Sequence, residues 1–315
     1  MSRLEQAVGR PRLEIGPRGR RRPRVRVRVL PILFVLPSVL LLAGVTIFPL
    51  LYSLRLAFYS WELSSAVASQ NFVGLANFRR ALFEDGRFWN AMRNTALVVG
   101  LGVGVELALG TALALLLDRL GRLRSFVVAL FMIPVVIAPV VAGFQWRLIY
   151  HDQAGPLNYL LRQAGIPTFA WLADPGVALL AIVVADVWQW TPFMLLLMLA
   201  GFQSVPAELY EAARVDGASL WQSFWRITVP VLLPIILVAL LVRGMDAFKL
   251  FDLVFLLTGG GPGSTTETIS FYTYLEGFRF FSMGYGAALS YIQLLVITIV
   301  ARLFLGLVRK GGHAQ

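Results

Sequence analysis

Glu211-Ala212-Ala213-Arg214-Val215-Asp216-Gly217-Ala218, followed by Ile227, Pro230 and Pro234, interrupts a chain otherwise dominated by apolar runs. The polar, helix-prone segment around it, residues 203–228, is wedged between two of those runs. Connections between neighbouring helices are usually short, so a structured loop of this size predicts a docking surface. Ala212 and Ala213 permit close helix approach, and Gly217 allows a sharp turn where a side chain would obstruct.

The chain on either side of that loop belongs in a membrane. Of 315 residues, 58% are hydrophobic and 14% charged, and the mean hydropathy is +0.73, too apolar for one soluble domain. Six runs reach the length a helix needs to cross a bilayer: 30–54, 95–117, 125–149, 177–202, 229–254 and 286–308. The expected fold is therefore an all-α membrane protein with six transmembrane helices. Pro31, Pro37 and Pro49 punctuate the first run, which is too long for a signal peptide core and lacks a small-residue cleavage site.

Charge sets the expected orientation. Ten of the 28 basic residues precede Leu30, Arg18, Arg20, Arg21, Arg22, Arg24, Arg26 and Arg28 among them. Basic residues directly before an apolar run anchor a cytoplasmic tail at an anionic leaflet. Without a recognised fold around it, the tail does not point to nucleic acid. Both termini, the basic tail 1–29 and the segment 309–315, are expected in the cytoplasm, as are the short basic loop 118–124 and the loop 203–228. The outer segments 55–94, 150–176 and 256–285 then face outward. The first mixes aromatic and charged residues as a small interfacial domain would. The last holds Gly259-Gly260-Gly261-Pro262-Gly263, read as a flexible turn because no Gly-Lys-Ser/Thr follows.

Several chemistries are unsupported. The lysines, Lys249 and Lys310, follow Phe248 and Arg309, so no Gly-Lys pair exists for a phosphate-binding loop. His151 and His313 are far apart and lack carboxylates at zinc spacing. There is no Gly-x-Ser-x-Gly elbow, and the absence of cysteine excludes disulfides and thiolate chemistry. The chain is expected to bind no metal or cofactor itself.

Charged residues inside the apolar runs are costly and tend to line cavities or pair with one another. Asp186 lies in the fourth run beside Trp188, Gln189 and Trp190. In the fifth, Arg243, Asp246, Lys249 and Asp252 recur at intervals of three, which on a helix allows Arg243–Asp246 and Lys249–Asp252 pairs. Two readings stand: an ion-pair ladder near the outer interface, or a polar pocket with aromatic walls. The pocket suits a hydroxylated ligand, which accepts directional hydrogen bonds and stacks its C–H faces on rings. Glu106, in the second run, is a further candidate for that cavity or for an internal hydrogen bond.

The pattern Glu211–Ala218 with Ile227, Pro230 and Pro234 resembles the EAA loop of ABC importer permeases, in particular the sugar branch. Met245-Asp246-Ala247-Phe248-Lys249-Leu250-Phe251-Asp252, with Leu256-Leu257-Thr258-Gly259-Gly260-Gly261-Pro262 behind it, is similar to the corresponding stretch of MalF-like subunits of maltose and trehalose importers. The likeness covers residues 30–308 and implies the type I importer permease fold. It implies substrate contacts at Asp186, Gln189, Trp190, Phe193, Arg243, Asp246, Ala247 and Leu250. Several of these residue types depart from the maltose pattern, where asparagine, glycine and tyrosine are expected, which points to another disaccharide such as trehalose.

The same resemblance implies that two short helices, roughly 206–213 and 217–224, dock on a cytoplasmic ATPase. Leu209, Tyr210, Ala213, Leu220 and Phe224 would give apolar contact there, and Ala212 and Gly217 close approach. Glu211, Arg214 and Asp216 would orient the complex by charge. Implied partners are a second six-helix permease subunit forming a heterodimer, two ATPase subunits that hold ATP and magnesium, an extracytoplasmic sugar-binding protein and membrane lipids. The implied location is the bacterial or archaeal cytoplasmic membrane. A secondary transporter or channel is the competing class, but it would carry its own coupling-ion site and usually internal repeats.

Overall fold

The computed structural model describes residues 29–62, 70–118 and 120–311. The basic tail before Val29 and residues 312–315 lie outside the described residues. The chain divides into two units, residues 1–50 and 51–315. In the first, Val29–Leu42 is an α-helix followed by a π-helical turn, Ala43–Ile47.

Five helices are long and apolar enough to cross a membrane: Leu33–Leu56, Gly86–Leu117, Ala178–Gln203, Leu220–Ala247 and Met283–Gly306. A further crossing is divided, with Gly121–Val136 and Pro139–Ile149 meeting at 93°. Counted in chain order, with the divided segment third, these are the first to sixth spans.

The third span was expected to run unbroken over 125–149. Its break has a local cause. Proline disfavours helical backbone at the residue before it, and Ala138, before Pro139, is extended, as is Ile137. The fifth span was expected to reach residue 254 but ends at Ala247, with a separate short helix at Asp252–Leu257. The second starts earlier than expected, at Gly86, where the side chain of Asp85 caps it by accepting from the Arg87 and Phe88 amides.

The fourth span is the axis of the second unit, with about two-thirds of its apolar window buried. It packs closely on the second span because Gly110 has no side chain. A Cβ there would lie 2.6 Å from the Met194 Cβ and 2.8 Å from the Leu195 nitrogen. Pro192 sits inside the fourth span and removes one helical donor. Thr191 donates to the Val187 carbonyl at 2.6 Å one turn away.

The outer segments are more ordered than expected. Residues 55–94 contain a short antiparallel ribbon pairing Tyr59 with Phe72 and Ser60 with Asn71. The glycine-rich turn is not flexible in the sense expected. Thr266 donates to the Gly261 carbonyl at 2.8 Å, its hydroxyl bonds that of Thr258 at 2.8 Å, and Thr266, Glu267 and Thr268 are buried.

Candidate functional site

Arg243 is the centre of the charged site. It lies deep in the fifth span, with 1% of its side chain exposed. Its Nε donates to Glu106 Oε2 at 2.9 Å and its Nη2 to Glu106 Oε1 at 3.0 Å, a bidentate grip from the second span. Nη2 also donates to Asp186 Oδ2 at 2.5 Å, from the fourth span. Nη1 donates to Asp246 Oδ2 at 3.3 Å. The guanidinium carbon stands 4.9 Å from the Trp190 ring centre, within reach of a cation–π contact. Glu106 and Asp186 are fully buried, whereas the Asp246 side chain is 49% exposed. A buried cation needs this degree of pairing because an isolated charge is very costly away from water.

Beside this cluster is a cavity of about 160 Å³, walled by Asp186, Gln189, Trp190, Arg243, Asp246 and Leu250 together with Lys249 and Asp252. Most of the expected substrate contacts therefore converge. Gln189 also supports the backbone: its Nε2 donates to the Ile137 carbonyl at 3.0 Å, satisfying an acceptor left open by the break in the third span. Phe193 and Ala247 do not line this cavity. Phe193 packs edge-on to Trp190 at 6.2 Å, and Ala247 is buried in the apolar core. The expected Lys249–Asp252 pair is absent among the described residues, because the helix that would align them ends at Ala247. A larger cavity of about 390 Å³ between the second, fifth and sixth spans is walled by apolar side chains such as Val99, Leu240 and Phe304. It offers no polar group to orient a hydrophilic ligand.

The loop between the fourth and fifth spans contains one helix, Ala207–Val215, close to expectation. The second expected helix is not separate. Leu220–Ser223 runs through a π-helical turn, Phe224–Thr228, directly into Val229–Ala247. A movement of the loop is thus carried by a helix that reaches Arg243. Gly217 has φ +76°, a left-handed conformation that favours glycine. Ser219 then starts the next helix with a capping box, its Oγ accepting from the Gln222 amide while Gln222 Oε1 accepts from the Ser219 amide.

Leu209, Glu211, Ala212, Arg214, Asp216, Gly217 and Leu220 are exposed on this loop. Ala213 is buried, and the Tyr210 hydroxyl bonds Thr228 Oγ1 at 2.7 Å, so these two side chains brace the loop from within. Phe224 is half-buried and joins Trp221 and Trp225 in an aromatic cluster. Among the described residues Glu211, Arg214 and Asp216 form no ion pairs.

Residues 96–311 match the family of binding-protein-dependent transport system inner membrane components. The chain belongs to this family. The trehalose/maltose transport system permease protein MalF of Thermococcus litoralis is 39% identical over 240 residues, covering 74% of this chain and 80% of that protein. The trehalose transport system permease protein SugA of Mycobacterium tuberculosis is 34% identical over 293 residues, covering 92% and 93%. Among solved structures, a chain of a bacterial ABC transporter involved in import of the acidic polysaccharide alginate superposes with a TM-score of 0.76 at 23% identity. That match covers 90% of this chain and 96% of the other. The shared fold is that of ABC transporter permeases, and the protein is an integral, multi-pass membrane component of a transport system.

Within this permease, sequence reasoning misplaced one role and missed others. Glu106 was a secondary candidate, yet it is the main partner of Arg243. Its signal was a lone carboxylate inside an apolar run, which demands a cation that the sequence does not locate. Trp221 and Trp225, exposed on the loop side, were not singled out. Their signal was large aromatic residues at helical spacing beside a polar loop.

Proposed function

We propose that this permease is the subunit through which a sugar, a disaccharide such as trehalose or maltose, crosses a bacterial or archaeal cytoplasmic membrane in an ATP-driven importer. The observation that carries the proposal is the Arg243 cluster with its adjoining cavity. It sets fixed polar groups and the Trp190 face against one space inside the bundle, as a hydroxylated ligand requires. The trehalose and maltose named for its relatives favour the same class.

At about 160 Å³ the cavity is smaller than the roughly 300–1,000 Å³ typical of small-molecule sites. A second six-helix permease subunit is proposed to supply the rest of the wall. Two ATPase subunits, holding ATP and magnesium, dock on Leu209, Glu211, Ala212, Arg214, Asp216, Gly217, Leu220 and the Trp221 cluster. An extracytoplasmic sugar-binding protein delivers the substrate at the opposite end. Closure of the ATPases tilts the helix that begins at Leu220 and so moves Arg243 relative to Glu106 and Asp186. Access switches because the ion cluster has different partners available in the two states.

The test is reconstitution of the assembled transporter in liposomes with labelled trehalose. Uptake should require ATP on the loop side and should be lost when Gly217 is replaced by tryptophan, with weaker ATPase retention during purification. Uptake by this chain alone, driven by an ion gradient, would refute the assignment.

A further inference from the structure

Arg243 is the most prominent cation at the cavity and would ordinarily suggest an acidic ligand. Its bonding argues otherwise. Glu106 takes Nε and Nη2 from behind, and Asp186 takes Nη2 as well. The cavity therefore meets a guanidinium whose charge is already matched from within the bundle. Three carboxylates on the wall, Asp186, Asp246 and Asp252, face two cations, Arg243 and Lys249. Adding Glu106, which grips Arg243 but does not line the cavity, leaves four carboxylates against two cations.

Hydrogen bonding points the same way. Asp186 Oδ1 is buried and has no hydrogen-bond partner among the described residues, although Asp186 lines the cavity. A carboxylate only accepts, so the missing partner must be a donor. Asp246 is half-exposed and held only by Nη1 at 3.3 Å, which leaves it acceptor capacity as well. The site thus lacks donors and positive charge.

Resting on the sugar assignment above, we propose that this cavity discriminates by charge, accepting hydroxylated ligands that carry an ammonium group and rejecting acidic saccharides. Glu106 is the positioning residue that sets this preference by neutralising Arg243 from outside the cavity. Removing its charge exposes the guanidinium to the ligand and turns the preference toward acids. The ammonium group itself is received by Asp186 and Asp246, beside the Trp190 ring.

The experiment uses the complete transporter in liposomes and compares ATP-driven uptake of trehalose, an amino-trehalose and a disaccharide containing glucuronic acid. The quotient of acidic to neutral uptake is measured for wild type and for Glu106→Gln. The delivering receptor is the same in both, so its own preference cancels. Wild type should transport the amino sugar and exclude the acid. Glu106→Gln should raise the quotient by roughly tenfold, the effect of one unit charge felt across about 10 Å at an effective dielectric constant of about 20.

A uniform fall for all three sugars would make Glu106 merely structural and overturn the proposal. If Glu106→Gln does not assemble, Asp246→Asn carries the test, because it also removes one negative charge. An unchanged quotient there overturns the proposal equally. Transport of trehalose with no charge preference sinks only this inference, whereas failure of wild type to move any saccharide sinks the sugar assignment with it.

Discussion

Arg243 makes four charge-assisted hydrogen bonds to three carboxylates, two of them on other spans. Removing one member of a buried ion cluster leaves the others uncompensated and costs about 3–5 kcal/mol. Arg243→Met is therefore expected to lower the melting temperature in detergent sharply. Adding Glu106→Gln and Asp186→Asn to it should restore much of the lost stability without restoring transport. Retention of wild-type melting by the single variant would show that the cluster does not hold the spans together. Only part of this site was legible in the sequence. The interval of three located the Arg243–Asp246 pair, but Glu106 lies 137 residues from Arg243 and Asp186 lies 57. Such partners follow from the packing of three helices, which a single helix period does not encode. The same interval wrongly joined Lys249 to Asp252, because periodicity extends a helix that the chain ends at Ala247.

Whole elements, the loop and the divided third span, decide how a push at one end reaches those side chains. The Gly217 turn was readable because glycine marks a left-handed position, and its φ of +76° agrees. The fusion of the second loop helix with the fifth span was not readable, since polar composition suggested a boundary where the backbone continues through a π-helical turn. A Cβ at Gly217 would meet nothing within 4 Å, so valine there would suffer backbone strain of about 1–2 kcal/mol rather than a clash. The chain should fold, while ATPase coupling falls. Ser219→Ala removes the capping box and about 1 kcal/mol. Faster hydrogen exchange at the Gln222 and Ser223 amides, with slower uptake per ATP hydrolysed, is the expected result. Unchanged exchange would mean the cap does not hold the start of this lever. The third span teaches the opposite lesson, because its proline signal was present. Pro139 follows Ala138 inside an apolar run, and length alone favoured a continuous crossing over the extended backbone that proline prefers.

Within the second unit the two ends of the bundle are held differently. At the outer end Arg87 donates to Glu267 from Nε at 2.7 Å and from Nη2 at 2.5 Å, and the Ile269 amide donates to Thr95 Oγ1 at 2.8 Å. Tyr272 and Tyr285 each donate to Asp85 Oδ2 at 2.5 Å. These bonds join the start of the second span to the segment before the sixth. At the loop end the exposed Glu211, Arg214 and Asp216 provide no comparable tie, so a motor acting there meets less resistance than one acting outside. Hydrogen exchange should accordingly be slower over residues 86–95 and 266–274 than over 207–219. Burial works to raise the pKa of Asp85, but hydrogen bonds from Tyr272, Tyr285 and the Phe88 and Arg87 amides outweigh it and leave the value below the ordinary 3.8. A carboxyl lowered by folding favours the native state above its unfolded pKa, and that contribution disappears as pH falls through the folded value. Acidification below about 4 should therefore loosen the outer staple. Replacing both tyrosines with phenylalanine removes the bonds that lower the pKa, so the double variant should unfold more easily at neutral pH and lose less on acidification. Equal acid sensitivity in the two proteins would show that this carboxylate does not fasten the outer end, and the asymmetry on which one-sided opening depends would have to come from elsewhere.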